Sequence, residues 1–167
     1  MPVVYSFRFR GQFLDGRKVY RPLLRARLQG PSGSAWVWML LDSGADCSLI
    51  SMDLAHGLGL AIGEAHGGLG TFGRAPMGRA HMVAAIRHAL EWLPSMTIPV
   101  EVPLQGAPPL PVLGREGVFD RFDVLFRLGP APSRGMFYLI PRSAPETRRI
   151  LPRHATGRGR RETTVGG

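Results

Sequence analysis

The residues of this chain best suited to chemistry lie together in Leu40-Leu41-Asp42-Ser43-Gly44-Ala45-Asp46. An apolar segment, Trp36 to Leu41, runs directly into an acid, a small hydroxyl residue and a glycine. A carboxylate at the end of a buried strand is costly unless something uses it. Asp42 would supply the reactive carboxylate. The Ser43 hydroxyl can hydrogen-bond neighbouring backbone and hold the loop, and Gly44, with no side chain, lets an extended chain approach closely. The matching chemistry is hydrolysis by two carboxylates that share one proton, one activating water as general base while the other donates to the carbonyl under attack. Two acids at that range cannot both ionise, so their titrations separate. The tripeptide alone also makes ordinary turns, so its flanks decide. It occurs once: Asp15-Gly16 lacks the hydroxyl residue, and Asp120-Arg121 lacks both partners.

The elements that would position these residues read as short strands. Val3 to Phe9 alternates, with Val3, Tyr5 and Phe7 on one face. Asp15-Gly16 is a turn signal. Val19 to Gln29 reads as a second strand, in which Leu24, Ala26 and Leu28 alternate with Arg25 and Arg27. Gly30 to Ser34 is a loop. Ala35 to Leu41 is apolar throughout, as expected for a strand buried on both faces. Ser48 to Leu60 offers a short helix, with Ser51 as N-cap, Leu54, Ala55 and Leu58 on one face, and Gly57 and Gly59 ending it. Residues 63–79 hold six glycines, too many for a rigid element. Residues 82–93 fit either a helix or a strand. Met96 to Leu104 is strand-like but carries prolines, which favours an edge or bent strand. Leu110 to Leu113 leads into Gly114, with a short helix expected near Glu116 to Phe122. Val124 to Leu128 and Met136 to Ile140 are the last strand candidates.

Composition agrees with a turn-rich β domain. Among 167 residues, 44% are hydrophobic, enough for a core, and 22 glycines with 15 prolines disfavour a helical bundle. The net charge of +9 is carried almost wholly by arginine, since Lys18 is the only lysine. Such a balance suggests an acidic partner, but six arginines crowd into residues 148–161, so much of the excess lies in a polar tail, residues 145–167, expected to be disordered. The remainder, 1–144, reads as one domain. A lone cysteine, Cys47, cannot form an internal disulfide, which fits a reducing, cytoplasmic setting; it would line the pocket or pack as a small hydrophobe. The N-terminus reads as a strand rather than a signal peptide, and no apolar run reaches the roughly 18 residues of a membrane span. His56, His66, His81, His88 and His154 have no spacing that suggests a metal site, and no nucleotide-binding glycine pattern is present. Ser48 and Ser51 read as helix caps rather than nucleophiles.

Three separated segments resemble the retropepsin-like aspartic proteases, the family of the retroviral proteases and their bacterial relatives. They are Leu40 to Asp46 followed by Ser48-Leu49-Ile50; Gly67-Gly68-Leu69-Gly70-Thr71-Phe72-Gly73, similar to the family's glycine-rich flap tip; and Val112-Leu113-Gly114-Arg115 followed by Gly117-Val118-Phe119-Asp120. Order and spacing agree from about residue 20 to residue 128. The resemblance implies an all-β fold: a small closed acid-protease barrel with a glycine-rich flap hairpin and one or two short helices. It implies that Asp42 is the catalytic acid, with Ser43 locking two catalytic loops together across a dimer. Ala45, Asp46, Gly67, Gly68, Leu69 and Gly70 would contact substrate, Asp46 and Arg115 would form a structural ion pair, and Gly114 would shape the second loop. Ser43 stands where threonine is commoner in retroviral members, and keeps the hydroxyl. No cofactor or metal is implied.

One Asp-Ser-Gly per chain cannot supply two acids. A two-fold homodimer would place Asp42 opposite its own copy, giving an aspartic endopeptidase that acts on extended polypeptides without a membrane association. The flap would cover the substrate and exclude water, with Leu69 closing over an apolar side chain. The alternative is a non-catalytic dimeric binding module of the same fold, its basic tail contacting nucleic acid.

Overall fold

The computed structural model describes residues 3–70, 73–106, 108 and 110–142. The strands are β1 (Tyr5–Arg8), β2 (Arg10–Leu14), β3 (Arg17–Arg21), β4 (Leu23–Gly30), β5 (Gly33–Leu41) and β6 (Ser48–Leu49). After helix α1 (Met52–Leu58) come β7 (His66–Gly70), β8 (Gly73–His88), β9 (Glu91–Trp92), β10 (Met96–Pro103), β11 (Val112–Leu113), β12 (Phe122–Arg127) and β13 (Met136–Pro141). A 3-10 turn, Pro132–Arg134, precedes the last strand.

Six of these strands close on themselves. β4 pairs β5, β5 pairs β11, β11 pairs β6, β6 pairs β10, β10 pairs β8, and β8 returns to β4. This ring is a small closed barrel, the all-β architecture expected from the sequence. Its interior is filled by the alternating residues of the strands, including Leu24, Ala26 and Leu28 from β4, Met39 and Leu41 from β5, and Ile98 and Val100 from β10, all essentially inaccessible. Each large side chain so buried contributes roughly 1.5–3 kcal/mol relative to exposure. Outside the ring, β1, β13 and β12 form a three-stranded antiparallel sheet in which Phe137 stacks on Phe7. β2 and β3 form a separate hairpin whose two-residue turn, Asp15-Gly16, has positive φ at both positions (48° and 73°), as a type I′ turn requires.

Helix α1 forms where expected. The Ser51 hydroxyl accepts the Leu54 N–H at 3.2 Å, and Gly59 closes the helix in the left-handed conformation at φ 70°. Its Ala55 and Leu58 are buried against the barrel.

Residues 82–93, left open between helix and strand, are strand: β8 runs to His88 and β9 follows at Glu91–Trp92. Several expectations are corrected. The expected strand Val19 to Gln29 divides at Pro22, which has no N–H for a ladder and separates β3 from β4. Met96 to Leu104 is not an edge: β10 pairs on both sides, but Pro99 and Pro103 bracket the two residues, Val100 and Glu101, that meet β6. The segment Glu116 to Phe122 is a series of turns and not a helix. Gly117 takes φ 86°, which a right-handed helix cannot include, and the Asp120 carboxylate accepts its N–H at 2.9 Å. Finally, β5 is buried on one face only. Trp36 and Trp38 point outward and are 48% and 38% exposed.

Candidate active site

Asp42 follows the last residue of β5, and two neighbours fix its backbone. Leu41 donates its N–H to the Pro22 carbonyl at 2.9 Å, and Asp42 donates its own to the Leu113 carbonyl at 3.0 Å. The acid is therefore seated by β11, the strand that carries the second motif. Its Oδ1 accepts the Gly44 N–H at 2.8 Å. That bond spans two residues and holds the carboxylate within the turn, as Asp side chains do at tight turns. Asp42 is partly buried, whereas Ser43 and Gly44 are exposed in the single subunit.

The first and second motifs are joined at several levels. Arg115 donates its backbone N–H to the Ala45 carbonyl at 2.8 Å, and Glu116 donates to the Asp46 carbonyl at 2.8 Å. Val112 and Leu113 lie in parallel register with Leu40 and Leu41. The Asp46 carboxylate and the Arg115 guanidinium form the expected ion pair, both side chains well exposed. Gly114 is packed so closely that a Cβ there would overlap the carbonyl carbon and oxygen of Cys47. Sequence reading marked Gly114 as shaping the loop, and this close approach is the physical reason that no side chain fits.

Ser48 is corrected from helix cap to interior strut. It is fully buried in β6, and its hydroxyl accepts the Gly114 N–H at 3.2 Å. Only its adjacency to the acid motif could have signalled this, because its partner is remote in sequence. Two further contacts were also missed. Arg79, on β8, pairs with Glu116 at 2.6 Å, tying a barrel strand to the turn after Gly114. His66, at the start of β7, meets Glu101 at 3.3 Å and links the base of the glycine-rich hairpin to β10. Cys47 is half-buried, and burial, reinforced by the Glu101 carboxylate, pushes its thiol up to about 11. It is thus a neutral thiol at physiological pH and behaves as a small hydrophobe.

The glycine-rich segment forms the hairpin β7–β8, in which Gly67 faces Pro76, Gly68 faces Ala75 and Gly70 faces Gly73. The side chain of Leu69 and residues Thr71 and Phe72 at the tip lie outside the described set, as does the arginine-rich tail, 145–167. A broad concavity on the outer side of the barrel does not include Asp42. Among the described residues no group of three or more His, Cys, Asp or Glu side chains converges as a metal site, and no helix is long and apolar enough to cross a membrane.

No family model and no curated protein sequence matches the chain. Among solved structures it is similar to an EIAV protease–inhibitor complex, with 19% identity and a TM-score of 0.38 over 62% of this chain and 88% of that one. It is also similar to a retropepsin-like aspartic protease from Rickettsia conorii, with 16% identity and a TM-score of 0.44 over 84% of this chain and 93% of that one. The chain itself shows a closed six-strand ring, a hairpin that leaves it, and a junction of the two motif loops.

Proposed function

We propose that this chain is an aspartic endopeptidase that works as a homodimer, with Asp42 of each subunit forming the acid pair. The observation that carries this reading is the seating of Asp42: a carboxylate at the end of a barrel strand, fixed by the Leu113 carbonyl and the Gly44 N–H, beside a loop of small exposed residues. That loop supplies one acid and leaves its outer side open, as a two-fold partner requires.

In the dimer, one Asp42 takes a proton from the attacking water while the other protonates the carbonyl oxygen of the scissile peptide. Ser43 holds the two loops together across the axis. The substrate is an extended polypeptide bound between the barrel and the β7–β8 hairpin, where main-chain bonding resembles strand addition. Gly67, Gly68 and Gly70 let that hairpin move over it, and Ala45 and Asp46 flank the bound chain. The edge of β12 away from β13, unpaired among the described residues and with Leu125, Phe126 and the following Leu128 exposed, offers apolar surface for the subunit contact. The lone thiol fits a reducing, cytoplasmic location.

The test is Asp42→Asn in the full chain. Peptide-library digestion should lose all cleavage while sedimentation shows the dimer unchanged. Unaltered turnover in that variant rejects the assignment.

A further inference from the structure

A concavity of about 1220 Å³ lies on the outer side of the barrel, between β5 and the segment that runs from β1 into β2. Arg8, Arg10, Arg25 and Arg87 line it, together with Trp36 and Trp38. No acidic side chain among the described residues does so; the neighbouring Asp15 and Glu91 lie outside it.

The arginines and indoles form an ordered array. The Arg10 guanidinium sits 4.2 Å from the Trp38 ring centre, and that of Arg25 sits 4.8 Å from Trp36. Trp36 meets Trp92 edge-on at 4.5 Å, and Trp92 receives Arg27 and Arg87 at 5.3 and 5.2 Å. Strand alternation builds this: Arg25 faces Trp38 and Arg27 faces Trp36 in the β4–β5 register, all on the outer face. Each contact contributes about 0.5–1 kcal/mol at an exposed site. Such contacts preorganise the guanidinium groups, so that little side-chain freedom is left to lose on binding.

We infer that this groove is a docking site for an acidic, extended polypeptide segment. Four clustered positive charges without a compensating acid require an anionic occupant. A guanidinium held over an indole still has N–H groups to donate, and these match a carboxylate in a planar, two-bond arrangement. The same stacking already occupies one face of Trp36 and one of Trp38, which a nucleic-acid base would have to share. One end of the groove is formed by Leu23 and Leu110. Leu23 faces Leu40 in register, and Leu40 donates its N–H to the Pro111 carbonyl at 2.8 Å, so this end adjoins the strand that delivers Asp42. The groove deepens the proposed peptidase reading by selecting substrates that carry an acidic stretch away from the scissile bond. The docking itself does not depend on hydrolysis.

The test uses the full chain carrying Asp42→Asn, so that the result is independent of any cleavage. A fluorescently labelled Glu-Gly repeat peptide should bind saturably, weaken with added salt and perturb tryptophan emission, whereas its Gln-Gly counterpart should not bind. Arg10→Gln with Arg25→Gln should weaken binding by about tenfold or more, the scale of two lost charge-assisted contacts. A charge-matched control, Arg17→Gln with Arg121→Gln, should keep the affinity, and unchanged melting temperatures establish that both variants fold. Equal binding of the two peptides, or equal losses in the two double variants, overturns the inference. So does tighter binding of an oligothymidylate strand or of phosphatidylglycerol vesicles than of the acidic peptide.

Discussion

The buried hydroxyl of Ser48 accepts the backbone N–H of Gly114 at 3.2 Å, joining two loops 66 residues apart in the chain. Beside it, the missing side chain of Gly114 lets the backbone of Cys47 come close enough that nothing larger fits. The backbone bonds between the two motifs are thus reinforced by one interior side-chain hydrogen bond and one steric allowance, while the Asp46–Arg115 pair sits outside in water.

Removing the hydroxyl leaves a buried N–H without a partner, which costs about 1–3 kcal/mol. Ser48→Ala should lower the unfolding free energy by that amount, seen as a lower urea midpoint with an unchanged m-value. A midpoint equal to the parent's would show that the bond contributes nothing net.

Adding a methyl group at Gly114 forces the loops apart. Overpacking of this kind costs about 1–3 kcal/mol, and the displacement reaches Asp42 through the Leu113 carbonyl. Gly114→Ala should lose both stability and peptide cleavage. Full activity with parental stability would contradict the packing described.

The Asp46–Arg115 pair should matter little to stability. Exposed ion pairs contribute about 0–1 kcal/mol, and backbone bonds from Arg115 to Ala45 and from Glu116 to Asp46 already hold the junction. Asp46→Ala, Arg115→Ala and the double variant should all unfold within about 1 kcal/mol of the parent. A coupling energy well above that, from the double-mutant cycle, would refute this ranking.

Cys47 gives a pH prediction with a definite sign. Its ordinary value is 9.0, and burial raises it to about 11. Below pH 9 the thiol is neutral whether the chain is folded or unfolded. Between those values the unfolded chain ionises first, so stability falls as the pH rises through that window. The rate of iodoacetamide alkylation should climb toward pH 11 instead of levelling near 9. A plateau already reached at pH 9 would mean that the thiol is not held in a desolvated site.

If the acid pair spans two subunits, specific activity must fall on dilution as the dimer dissociates. Activity proportional to concentration at all dilutions, in a demonstrated monomer, would leave a single Asp42 with no partner.

What the sequence disclosed and what it concealed follow from the range of the interactions. The alternation of Leu24, Ala26 and Leu28 with arginines reported β4 directly, because a strand's faces repeat every second residue. Ser51 and Gly59 announced the helix ends through local capping. The register of Leu40 with Val112 was not legible, because it pairs segments about 70 residues apart. Tryptophan misled: Trp36 and Trp38 count as apolar in a string of letters, and the guanidinium groups that cover them come from β2 and β4. Ser48 looked like a cap because its true partner is remote. The turn at Glu116 to Phe122 hid its nature in the positive φ of Gly117.

The ring of six strands closes only when β11 slides between β5 and β6. Because β11 emerges late in synthesis, the ribosome must release most of the described chain before Asp42 meets the Leu113 carbonyl. Non-local pairing of this sort slows folding. In consequence, the turn that carries Asp42 has no β11 backing until Leu113 has been made.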